Sequence, residues 1–287
     1  MSREINELHH HGMIASYQLM RQGLGYIGLG LPVLLFFGGM ATGQGVEASI
    51  SHYYYTPFAD VFVGALCAIG LFLIGSYGPD SVSFGILSHR KITRIGGLGA
   101  IGLALVPTHT DKLFDCSFAQ CALGMKLGSD IHHVFAGLFF VSMAITCLLL
   151  FAEPENGEQD RERRLQRNRL YHGSGLIILL AMSALYTYRI SPDHVKATMD
   201  QNSYQFWIES LAVWLFGFCW LVKGGAVSML RDREVGTFAV NLDCAPTRPK
   251  LFLAYARNVS PLSQPIPIGP TLSDLRQSAR HGSRGAL

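Results

Sequence analysis

IHHVFAGLFFVSMAITCLLLFA, residues 131–152, opens with two histidines and then runs to its end without a charged side chain. At about 1.5 Å of rise per residue, a helix of this length crosses the roughly 30 Å hydrocarbon layer of a bilayer. A membrane barrel strand would need polar residues at every second position, and Leu148, Leu149, Leu150 and Phe151 supply none. The stretch therefore reads as a transmembrane helix.

Five further stretches read the same way: 24–41, 59–78, 93–109, 171–190 and 204–223, the third span (93–109) being the shortest of the six. The composition agrees, because 49% hydrophobic and 15% charged residues lie outside the usual balance of a soluble domain of 287 residues. The expected fold is an all-α membrane protein, a six-transmembrane-helix bundle. Residues 1–23 read as a cytoplasmic N-terminal segment, 24–223 as the transmembrane domain and 224–287 as a cytoplasmic tail. That tail is rich in proline, serine and arginine, with too few regularly spaced apolar residues to build a core, so disorder is expected there.

Orientation follows from the basic residues. With a cytoplasmic N-terminus, the exported loops hold only Lys112, Lys126, Arg189 and Lys196 of the 23 lysines and arginines. The positive-inside rule then places both termini in the cytoplasm, in a membrane of the bacterial cytoplasmic (inner) type. The run Arg161, Arg163, Arg164, Arg167 and Arg169 fits a loop facing anionic lipid heads, and no nucleic-acid partner is expected. The first apolar segment starts more than twenty residues from Met1 and reads as a retained signal-anchor.

Of six cysteines, only Cys116 and Cys121 share a predicted exported loop, where an oxidising compartment favours a disulfide between them. Glycines recur in the spans: Gly25, Gly28 and Gly30 in the first, Gly64 and Gly70 in the second, and Gly96, Gly97, Gly99 and Gly102 in the third, with Gly64 and Ala68 forming a pair four residues apart. Lipid tails are as apolar as leucine, so small residues mark the faces on which membrane helices pack closely. A homo-oligomer or a membrane-protein partner is compatible with the same pattern.

The polar groups of the spans gather at the exported end. His52 and Asp60 flank the start of the second span, His109 the end of the third, and Asp130, His132 and His133 the start of the fourth. Arg189 ends the fifth, and Glu209 lies about 7 to 8 Å inside the sixth. An embedded acid is costly and faces a bundle interior, a partner or water, which makes Glu209 the leading functional candidate; an ion pair with Arg189 is its structural alternative. Asp60 suits either a polar pocket or the amide dipoles that open a helix. Asp130 and His133, three apart, share a helix face, so Asp130 is placed to fix the tautomer of His133 for acid–base work or beside a metal. Tyr54 and its neighbours Tyr53 and Tyr55 suit an interfacial aromatic belt, with hydroxyls able to line a pocket. Zinc is the metal that His52, His109 and His133 would suit, although no HExxH motif is present. These groups are expected around one outward-opening cavity, with Glu209 at its floor and His52 and the tyrosines near its mouth.

SISHYYYTPFADVFVGALCAIG (49–70), GSDIHHVFAGLFFVSMAI (128–145) and FWIESLAVWLFGFCWLVKG (206–224) together resemble a class of bacterial six-helix membrane proteins. More distantly they resemble the damage-regulated autophagy modulators and the GPI-anchor lipid-remodelling proteins. The resemblance covers roughly residues 20 to 225 and implies a lipid-associated role on the noncytoplasmic side. It points to Ser49 or Ser51, to His132 or His133, and to Glu209.

The expected function is binding or handling of membrane lipid in an exported-side polar pocket, with His52, Tyr54, His109 and Arg189 as ligand-binding residues. An alternative is a membrane-embedded lipid hydrolase or acyl-transfer enzyme, with Glu209 or Asp60 as base, Asp130 and His133 in acid–base or metal roles, and Ser51 as nucleophile. A membrane scaffold or assembly factor is the third reading. Convergence of the polar groups separates a pocket from a scaffold.

Overall fold

The computed structural model describes residues 2–76, 88–110, 116–152, 161–227 and 230, with the side chains of 2–15 left aside. Contacts divide the chain into Met1–Thr237 and Phe238–Leu287, and all described residues belong to the first unit. The expected tail thus lies almost wholly outside the described residues, as do Lys112 and Cys244.

The described chain is helical. Helix α1 spans Ser2–Ala41 and continues through Pro32. A two-turn 3-10 helix, Ile50–Tyr55, precedes α2, Ala59–Gly75. Helix α3 is His89–Leu105, opened by Ser88, whose hydroxyl accepts the Lys91 amide. The short α4, Phe118–Leu123, starts with a capping box in which Ser117 and Gln120 satisfy each other's backbone N–H groups. Helix α5, Met125–Ile145, runs on through a wider turn at Thr146–Leu150. Helices α6, Arg161–Ile190, α7, Asp193–Asp200, and α8, Tyr204–Lys223, complete the order.

Four stretches are long and apolar enough to cross a membrane: Ser16–Ala41, Met125–Leu150, Arg161–Ile190 and Tyr204–Lys223. Helix α2 is apolar but shorter, and α3 is also 17 residues long. Burial inside the chain covers only 28–56% of the four apolar windows. Leu19, Phe37, Leu98, Leu176 and Leu180 are each more than half exposed on the outside of the bundle. Such a rim of hydrocarbon is what a bilayer covers.

Helices α1, α2, α3, α5, α6 and α8 each pack against the next, and α8 closes back on α1. The result is a ring of six helices around an aromatic core of Phe62, Phe139, Phe206, Phe216 and Trp220. Glycines set the seams. A Cβ at Gly217 of α8 would stand 2.8 Å from the Gly25 carbonyl of α1, and one at Gly97 of α3 would stand 2.6 Å from the Gly70 carbonyl of α2. At Gly99 it would meet the Phe139 amide of α5 at 2.8 Å. Backbones touch there because no side chain separates them. Gly64, by contrast, has open space around it, so the Gly64 and Ala68 pair makes no such seam within the chain.

Candidate functional site

At one end of the ring the helices part around a cavity of 790 Å³. Its polar wall includes Ser51, His52, His109, His132, His133, Arg189, Lys196, Gln205 and Glu209, and its apolar wall includes Leu31, Phe62, Leu66, Leu103, Phe139 and Val213. All six ring helices contribute to the lining. Ser51 and His52 come from the 3-10 helix, which lies across this end of the ring.

The 3-10 helix is held at its start by two other groups. A helix begins with backbone N–H groups that have no partner inside it. Here the Glu209 carboxylate, reaching across from α8, accepts the amide of Ile50 at 2.8 Å and also that of Ser51. Ser49 accepts the third, from His52, and its hydroxyl lies 2.7 Å from His52 Nδ1. Glu209 is therefore a helix cap supplied from another helix, and it makes the ion pair with Arg189 unnecessary. At its other end the 3-10 helix is tied by Tyr55, whose hydroxyl donates to the Thr108 carbonyl and accepts from Gln120. Burial pushes the Tyr55 hydroxyl up from its ordinary value of 10.0, so the donating proton is held still more firmly than in a free tyrosine.

With the segment clamped, Ser51 meets His132. The Ser51 hydroxyl is 3.1 Å from Nε2 of His132, and Nδ1 of the same ring is 2.6 Å from the Val106 carbonyl. A carbonyl oxygen only accepts, so Nδ1 carries a proton, and in the neutral ring Nε2 is left to accept from Ser51. His132 is 4% exposed.

Several expectations are corrected by this geometry. Asp60 is exposed in the first turn of α2 and does not line the cavity; its carboxylate sits where the amide dipoles of a helix start favour it. Asp130 also lies outside the lining, drawn into an ion pair with Arg189 at 3.1 Å. It does not fix the tautomer of His133, whose Nδ1 donates instead to the Ser129 carbonyl one turn back. Tyr54 packs edge-on against Tyr55 and stays out of the lining, while Tyr186 and Tyr188 join it. His52, His109 and His133 share the cavity, yet among the described residues no three histidine, cysteine, aspartate or glutamate side chains approach closely enough to hold a metal ion.

The emphasis on His133 passed over His132. Its periodicity carries the signal: Gly128, His132, Phe139, Met143 and Thr146 are the buried residues of one stripe on α5, and His132 alone interrupts that stripe with an ionisable group. The structure also joins Cys116 to Cys121, with Cα atoms 5.5 Å apart, at the start of the segment that Gln120 anchors to Tyr55.

Fold and site together define a helical membrane protein with a polar cavity inside one end of its bundle. No family model, curated protein or solved structure matches the chain.

Proposed function

We propose that this is a six-span protein of the bacterial inner membrane, with both termini cytoplasmic, that binds a membrane lipid in its exported-side cavity. One observation carries the reading: a single 790 Å³ space has a hydrocarbon wall between helices and a polar wall at their ends. That volume lies within the range of sites that enclose small ligands, and the two-part lining matches an acyl chain joined to a polar head. Arg189 and Lys196 bring positive charge to the polar end, although Asp130 and Asp193 stand beside them at 3.1 and 3.8 Å. The resemblance of the three quoted segments to lipid-remodelling membrane proteins points the same way. Helices α2 and α3, though only 17 residues long, complete the span count because they close the same ring as the four longer ones. Convergence of the polar groups on one lumen favours a ligand site over a scaffold, which has no need of it.

The test is equilibrium binding of a fluorescent lysophospholipid to the full chain in maltoside micelles. Ala136 lines the cavity, and Ala136→Trp fills part of it. Binding to the variant should weaken about tenfold or more, the loss of roughly 1.4 kcal/mol. Equal binding by wild type and a folded Ala136→Trp variant would overturn the reading.

A further inference from the structure

We propose that Ser51 and His132 form the nucleophile and general base of an acyl-transfer site, acting on a lipid ester held in this cavity. The inference rests on the lipid-binding reading and adds chemistry to it. Three features set this serine apart from one that merely hydrogen bonds. Its hydroxyl opens on the cavity while facing an unprotonated ring nitrogen at 3.1 Å. The ring is locked in the tautomer that accepts a proton, because the Val106 carbonyl holds Nδ1–H at 2.6 Å. The serine also rides on a segment fixed from outside: Glu209 holds the amides of Ile50 and Ser51, Ser49 holds that of His52, and Tyr55 anchors the far end. Nucleophile, base and a third group orienting the base recur across unrelated acyl-transfer enzymes. Here a backbone carbonyl occupies the third place, and its dipole favours the ring when it becomes positive.

The step balances without a further reactant beyond an acceptor hydroxyl. Ser51 Oγ bonds to the ester carbonyl carbon as its proton passes to His132 Nε2, and the carbonyl electron pair moves onto oxygen. That pair returns as the alkoxy bond breaks, and Nε2–H gives its proton to the departing alcohol. A second alcohol or a water then attacks the acyl-serine as its proton passes to Nε2, and Nε2–H returns that proton to Ser51 Oγ as the acyl–Oγ bond breaks. Arg189 and Lys196 line the same cavity and bring positive charge to the end where the oxyanion forms. Glu209 is a positioning residue, acting through the Ser51 backbone.

An alkyl fluorophosphonate reports on the pair directly, since phosphonylation of a serine expels fluoride only where a base takes the hydroxyl proton. The full chain in maltoside micelles would be treated with the probe, and its adduct located by peptide mass mapping. The expected result is a single adduct on Ser51, absent from Ser51→Ala. It should form about 10²-fold more slowly in His132→Gln, the scale of general-base assistance. Lysophospholipid should protect Ser51 from the probe, a measurement on the wild type that stands whether or not the His132 variant folds. Wild-type protein that binds lysophospholipid yet leaves Ser51 unmodified overturns the inference and leaves the lipid-binding reading intact. Undiminished labelling in folded His132→Gln, or labelling without protection, also overturns it. Failure to bind lysophospholipid at all removes both.

Discussion

Glu209 looked like a functional acid because a carboxylate inside an apolar helix needs a reason to be there. Its reason is a short helix 159 residues earlier in the chain, whose free amides it satisfies at Ile50 and Ser51. Charge-assisted hydrogen bonds of this kind are worth about 1.5–3 kcal/mol, and leaving a buried donor unmade costs a similar amount. Glu209→Ala should therefore destabilise the protein by about 2 kcal/mol or more. Glu209→Gln retains an accepting oxygen and should cost about half as much. Thermal unfolding followed by tryptophan fluorescence would measure both, and wild-type stability in Glu209→Ala would rule out the capping role. His132 makes the same point in a second way. It is adjacent in sequence to His133, yet one ring is buried between Val106 and Ser51 while the other is exposed against its own helix. A step of one residue turns a helix by about 100°, enough to exchange a buried setting for an exposed one.

The ring helices depend on backbone contact at their seams. At Gly217 the three nearest atoms are all main chain, from Gly25, Gly28 and Leu29 of α1. A side chain there meets main-chain atoms, which cannot swing aside as a side-chain tip can. Gly217→Val should destabilise the protein by about 1–3 kcal/mol or more, the range of overpacked cores, and loosen the α1–α8 seam. Gly64→Val is the matched control, because the same methyl groups meet open space. Size-exclusion profiles after graded heating would compare the two, and equal profiles would count against the seam. The glycine-rich reading of the sequence foresaw close packing in general terms. It singled out Gly64 and passed over Gly217, because a glycine leaves no record of which backbone faces it.

Across the molecule, the polar cavity stands at one end of the ring and Arg21, Arg167 and Lys223 at the other. Arg21, Lys223 and Arg167 sit with the α1, α8 and α6 ends away from the cavity, where Arg21 donates to the Lys223 carbonyl and Arg167 to that of Leu230. Under the positive-inside rule this arrangement supports the proposed exported position of the cavity. Reporter fusions after Arg164 should read as cytoplasmic, and fusions near Gln120 and Lys196 as exported. The Cys116–Cys121 disulfide should then be found in freshly isolated membranes by nonreducing peptide mapping. An external signal at Arg164 would reverse the assignment of the cavity.

The class of protein and the helix positions were legible along the chain, since hydrocarbon length and helical rise are local properties. The span expected at 204–223 and the helix Tyr204–Lys223 coincide, and residues 131–152 fall largely within α5 and its final turn. The crowding of polar groups toward one end was legible for the same reason. What only the tertiary structure decided is which groups face one another. Ser51, His132 and Glu209 meet because two helices and a crossing segment rotate them into one lumen, whereas Asp60 and Asp130 are rotated out of it. The decisive partners of Glu209 and His132 include backbone amides and the Val106 carbonyl, groups that every residue carries and no sequence marks. Their selection is a matter of packing angle, set by neighbouring helices and not by the residues that depend on it.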